Sequence, residues 1–263
     1  MKTLKLLSLP FIVLLIVSGC ASTKVSTQSD EIGIVLMHGK GGTTKWIESL
    51  ALSLESKKIH VSTPDMPWHK YRIYDKTFEE SLIEIKTHVN NLRKKGAQKI
   101  YVAGHSLGAI AATAYAAQVG GVQGVILLAP GHFTSWHAFN STFKDDLIKA
   151  NTMIKNGKAD IKADFNDINQ RTHYTRNVTA RIYKSWFSPW PAGLIFNLAS
   201  LNNNTSILYI GAGQDALTET NRKAYAFNKA PQNQFNKYIK VAAKHLHVPA
   251  KSSEIIFDWL SQQ

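Results

Sequence analysis

The stretch Lys99-Ile-Tyr-Val-Ala-Gly104-His105-Ser106-Leu107-Gly108-Ala109-Ile110-Ala111-Ala112 decides the fold. Its first part, Lys99 to Gly104, is a short apolar run with β-branched and aromatic members, the pattern of a buried strand. Its second part opens an alanine-rich helix over Leu107 to Gln118, whose small side chains let it lie close on a sheet. Between them stands Gly104-x-Ser106-x-Gly108. In a strand–turn–helix unit this spacing puts a serine on a sharp turn and pushes its Oγ out of the sheet, and the glycines remove side chains that would strike the neighbouring backbone.

The chain on either side repeats strand and helix. Upstream, Ile32 to Met37 reads as a buried strand ending in His38-Gly39. Thr43 to Ser56 reads as a helix, and Ile59 to Thr63 as a strand stopped by Pro64 and Pro67. Phe78, Leu82, Ile85, Val89 and Leu92 share one face of a helix over Thr77 to Lys95. Thr77 and Glu80 have capping-box spacing at its start, and Gly96 follows its cationic last turn. Downstream, strands are expected at Val125 to Leu128, Ser206 to Ile210 and Tyr238 to Val241, with a closing helix over Ser252 to Leu260. Such alternation predicts an α/β fold, a mainly parallel sheet with helices on both faces. Residues 133–205 interrupt it. They hold helical stretches such as Asp145 to Ile154, and Trp136, Trp186, Trp190 and Phe196, and they read as a helical cap inserted over the sheet.

The 263 residues suffice for one domain with a substantial core, and 44% hydrophobic against 19% charged content is that of a folded protein. The net charge of +13 is spread along the chain. There is no basic helix, zinc-finger spacing or RNA-binding aromatic motif, so no nucleic-acid partner is expected. An anionic lipid surface is the simpler match for the charge, and Arg171, Arg176, Arg181 and Lys184 in the cap are candidates to meet it.

Lys2 and Lys5, the apolar run Leu6 to Val17 and the small residues after it describe a secretory signal peptide over residues 1–19. Val17-Ser18-Gly19-Cys20 resembles the bacterial lipobox, which implies lipidation of Cys20, the chain's one cysteine. Acyl chains there would tether the protein to a membrane of the cell envelope. Ala21 in the second mature position, where an aspartate would favour the inner membrane, favours the outer membrane if the cell is Gram-negative. Residues 20–30 read as lipidated cysteine and tether, and residues 31–263 as the folded domain. With Cys20 consumed, no thiolate nucleophile or thiolate metal site remains.

His38-Gly39, Gly104-x-Ser106-x-Gly108, Gly213-x-Asp215 and His245 together resemble the α/β-hydrolase superfamily over Ile32 to Leu260. That resemblance implies a catalytic triad in the order serine, acid, histidine. Ser106 is then the nucleophile, and Asp215 the acid, in the loop after the apolar strand that starts at Ser206. The base lies in Lys244-His245-Leu246-His247. A spacing of two puts both histidines on one side of an extended segment, so periodicity does not choose between them. Likeness to the family's ending, with Pro249 and Trp259-Leu260 following, favours His245 and leaves His247 as the alternative. Lys244 stands where the family often has aspartate. The resemblance also implies an oxyanion hole from the backbone N–H groups of Leu107, after the nucleophile, and Lys40, in the glycine-rich loop His38-Gly39-Lys40-Gly41-Gly42. The family's usual first two strands are not visible, which implies a compact version.

The implied chemistry is acyl transfer to water, by a serine carboxylesterase or lipase acting on a small-molecule or lipid ester. An acyltransferase, or a non-catalytic envelope-binding lipoprotein that keeps the fold, is the alternative. No cofactor is expected: the loop lacks the G-x-x-x-x-G-K-[ST] phosphate pattern and nothing matches G-x-G-x-x-G. His132 and His137 lack an H-E-x-x-H context and read as pocket-edge or surface residues, so no metal is expected. The apolar patch Pro191 to Phe196 is a candidate wall for an acyl or alcohol pocket.

Overall fold

Six parallel strands form one sheet in the computed structural model, which describes residues 31–215 and 222–263. The signal peptide, Cys20 and the tether lie outside the described residues. The strands are β1 (Ile32–Met37), β2 (His60–Ser62), β3 (Lys99–His105), β4 (Gly124–Leu128), β7 (Ser206–Ala212) and β8 (Lys237–Val241). Two more, β5 (Lys162–Asn169) and β6 (Thr172–Thr179), pair antiparallel as a separate hairpin. The order across the main sheet is β2-β1-β3-β4-β7-β8, and every neighbouring pair runs parallel. Among the described residues the first strand in the chain is β1, which runs into His38-Gly39.

Alternate residues of the central strands supply the two cores. Val35, Met37 and Val102 face one cluster with the apolar stripe of α2 (Phe78–Lys94) and the alanines of α3 (Leu107–Gln118). Ile34, Leu36, Tyr101 and Ala103 face the other, with Leu50 and Leu54 of α1 (Glu48–Ser56) and Ile256, Trp259 and Leu260 of the C-terminal helix (Ser253–Leu260). The capping box is made in full: Thr77 Oγ1 accepts from the Glu80 N–H, and the Glu80 carboxylate accepts from the Thr77 N–H. The expected helix over residues 43–56 is broken at Ile47 into a short 3₁₀ turn and α1.

The insert between β4 and β7 departs from the all-helical expectation. It contains α4 (His137–Lys155), the β5–β6 hairpin and α5 (Ala180–Phe187), followed by the short helices Pro189–Ala192 and Leu194–Ala199. The hairpin was hidden because its strands are largely polar and bury few residues, Phe165, Asp167 and Val178 among them. The patch Pro191 to Phe196 serves packing, not a pocket. Ala192 and Leu194 join the core beside the alanines of α3, and Gln118 Nε2 donates to the Pro191 carbonyl at 3.0 Å. Trp190 and Phe196 point to solvent.

Candidate active site

Parallel strands place all their carboxyl ends on one edge, and four of the expected site segments lie there: Lys40 after β1, Ser106 after β3, Asp215 after β7 and His245 after β8. The first two flank the point where the strand order reverses, between β1 and β3, which is where α/β sheets form their crevices.

Ser106 has φ 56° and ψ −115°, a left-handed conformation that costs free energy and persists only because its surroundings enforce it. The enforcement is visible. Its N–H donates to the Leu128 carbonyl at 2.9 Å, and its own carbonyl accepts from the Ala109 N–H at 3.1 Å. A Cβ at Gly108 would sit 2.7 Å from the carbonyl oxygens of both Met37 and His38, so the helix start is pressed against the end of β1. Leu107 occupies the first position of α3, where an N–H has no partner within the helix and sits at the positive end of its dipole.

Ser106 and His245 each have an atom close to Gly131, in the loop after β4. A Cβ there would crowd Ser106 Oγ at 2.8 Å and touch His245 Cε1 at an ordinary 3.7 Å, so glycine leaves the serine hydroxyl room, while His245 Nδ1 is buried without a hydrogen-bond partner among the described residues. Lys40, Ser106, Asp215 and His245 line one cavity of about 660 Å³. His247 is exposed and outside it, which separates the two histidines that spacing alone could not. Burial lowers the His245 pKa and Asp215 acts to raise it, with a net shift downward, so the imidazole is neutral and ready to take a proton at neutral pH.

A model of the hydrolase family described as "Serine aminopeptidase, S33" matches residues 29–250. The chain belongs to that α/β-hydrolase family. Similar solved structures agree on the fold at low identity. A thermostable carboxyl esterase from Bacillus coagulans superposes with TM-score 0.63 at 17% identity over 88% of this chain and 89% of its own. A monoacylglycerol lipase from Paleococcus ferrophilus gives 0.61 at 16% over 88% and 94%. A structure from a study of two metagenome-derived lipolytic enzymes gives 0.62 at 14% over 89% and 94%. No curated protein matches the sequence.

In this α/β-hydrolase two clefts meet at the serine. The larger cavity is walled by Phe133, Trp136, Phe139 and Phe143, and Arg222 lies between the first two with its guanidinium 4.0 and 3.8 Å from their ring centroids. The second cleft, about 300 Å³, is lined by Gly41, Gly42, Trp46, Gln170, Thr172 and Tyr174. Arg171, from the basic cap group, lines the larger cavity. Arg176 and Arg181 of that group are ion-paired, with Asp167 at 3.1 Å and Asp160 at 2.8 Å. His132 stands at the cavity edge and His137 on the surface, as the sequence suggests.

His105 had no assigned role in the sequence, and His132, read there as a pocket-edge residue, makes a part-buried contact of its own. His105 packs against His245, ring centroids 4.8 Å apart, and its Nε2–H donates to the His245 carbonyl at 3.0 Å. His132 donates from Nε2 to the Trp186 carbonyl at 2.8 Å. Burial pushes His105 and His132 down to about 3, and His38 down to about 4. In the unfolded chain all three titrate near 6.5. Between that value and the folded pKa the unfolded state binds more protons, so stability is full above about pH 6.5 and falls as pH drops toward 4. Three such groups give a limiting slope of about 4 kcal/mol per pH unit. Urea midpoints at pH 7, 6 and 5 should decline steeply, and a flat series would refute the assignment of three neutral buried rings.

Proposed function

We propose that the protein is a serine hydrolase that cleaves a carboxylic ester through an acyl-enzyme. The observation that carries the reading is the strained Ser106 elbow, which lines one cavity with His245 and Asp215. His245 takes the Ser106 proton as Oγ attacks the ester carbonyl, and Asp215 stabilises the imidazolium that forms. The tetrahedral oxyanion is met by the N–H groups of Leu107 and Lys40. Collapse expels the alcohol, which takes its proton from His245. Water then attacks the acyl-enzyme with His245 again as base, and the acid leaves.

The two clefts support a division of the substrate. The aromatic wall of the larger cavity suits an apolar acyl group, and the groove at Gln170 and Thr172 suits a polar alcohol. The family description and the esterases and lipases among the similar structures are in keeping with this chemistry.

A p-nitrophenyl ester series from acetate to decanoate tests the reading. Turnover is expected to peak above acetate. His245→Ala is expected to lower kcat by about 10³-fold or more, and His247→Ala to stay within about threefold of wild type. No turnover on any ester, or loss with His247→Ala and not His245→Ala, would overturn it.

A further inference from the structure

A lysine amid glycines, with its ammonium buried, needs an explanation. Lys40 is flanked by Gly39, Gly41 and Gly42, which leave the main chain free to turn, and Gly41 uses that freedom at φ 61°. Its side chain is largely withdrawn from solvent. Nζ donates to Asp167 Oδ1 at 2.7 Å and to the Ile168 carbonyl at 3.1 Å, both on β5 of the inserted hairpin, and the Lys40 side chain is 8% exposed against 0% for Asp167. Asp167 also accepts from Arg176 Nε at 3.1 Å and from the Tyr74 hydroxyl at 3.4 Å. Burial would raise its pKa, but Lys40, with smaller help from His132 and Arg176, holds it down at about 2. The Lys40 carbonyl in turn accepts from Asn169 Nδ2 at 3.0 Å.

The hairpin therefore grips Lys40 at both the tip of its side chain and its main-chain carbonyl. The peptide that carries the Lys40 N–H is held from its other end. The Gly39 carbonyl accepts from the Gly42 N–H at 3.0 Å and from His38 Nδ1–H at 2.9 Å. In a trans peptide the N–H points opposite the carbonyl, so these bonds fix the direction of the Lys40 N–H. His38 is itself fixed, because its Nε2 accepts from the Met66 N–H at 3.2 Å.

We propose that Asp167 is a positioning residue for the oxyanion hole: through the Lys40 side chain, the inserted hairpin holds the Lys40 N–H where the oxyanion forms. This rests on the serine-hydrolase reading above. A rigid donor stabilises charge that develops in the transition state and contributes little to ground-state binding. Loss of the clamp should therefore appear in kcat and not in KM.

The experiment uses Asp167→Asn, Lys40→Met and the double variant. Lys40→Met keeps the backbone N–H and leaves Asp167 paired with Arg176, and the double variant leaves neither partner of the broken pair charged. Readouts are kcat and KM on p-nitrophenyl butyrate, the rate at which a fluorophosphonate labels Ser106, and Tm. Each variant is expected to lose about 10- to 100-fold in kcat and in labelling rate, with KM within about threefold, at temperatures well below its Tm. The double variant should lose no more than the worse single, since both cut one connection. Rates within twofold of wild type, losses that follow KM, or losses that follow the unfolded fraction would each overturn the clamp. If wild type is labelled but hydrolyses no ester, the ester reading fails and the clamp is judged by labelling alone. A wild type that resists labelling removes the nucleophile, and the clamp with it.

Discussion

Ser106→Ala lowers ester turnover by about 10⁴-fold or more while the protein stays folded. Both halves of this expectation follow from the elbow. Alanine keeps Cβ, so the strained backbone and the bonds from its N–H to Leu128 and from the Ala109 N–H are unchanged. Only Oγ is lost, and Ser106 is half-buried at the cavity floor, where no large desolvation change follows. Stability should shift by less than about 1 kcal/mol. Without Oγ no acyl-enzyme forms, and what remains is catalysis by the oxyanion donors acting on water. The measurement is kcat for wild type and variant at matched Tm. More than a tenth of wild-type activity in the variant would mean that the nucleophile lies elsewhere.

The second large effect is on folding. Gly104→Ala is expected to destabilise by more than about 4 kcal/mol, a large share of the whole stability of an ordinary domain. A Cβ at Gly104 would overlap the carbonyl group of Gly108 and lie 2.6 Å from the Ala109 nitrogen. These are backbone atoms of α3, and the helix has nowhere to retreat, because Gly108 is already against the ends of Met37 and His38. β3 and α3 would have to separate, with a loss of packing around Val102 and Ile110. Thermal unfolding should shift down by about 10 °C or more, or the protein should fail to accumulate in folded form. An unshifted Tm would show that strand and helix can part here at little cost.

The central motif was readable because local pattern and tertiary demand coincide there. An apolar strand, a glycine-bounded serine and an alanine helix each state the same packing requirement, and β3 and α3 fall within a residue of their expected bounds. The stripe of α2 was equally plain, since Phe78, Leu82, Ile85, Val89 and Leu92 must all face one core. The hairpin was not. Most of the side chains in Thr172 to Asn177 are exposed, so no period of two in hydrophobicity marks the strand. In the site, the segment order gave Ser106 and His245 a common edge, but nothing in the spacing of Lys40 and Asp167 announces a contact across 127 residues. Gly131 was missed for a related reason. Its need to be glycine comes from Ser106, not from its own neighbours, and the one local cue was Pro130-Gly131 after the end of a strand.

Among the described residues the sheet is open, and its edge strands β2 and β8 are where a strand from another molecule could add. β2 offers only three residues, too few for a lasting ladder. β8 is longer but carries Lys237 and Lys240, which project to opposite faces and are both exposed. A second chain aligned on that edge would have to strip water from an ammonium group above the sheet and another below it. Brevity at one margin and charge at the other make both edges poor templates for growth of the parallel sheet.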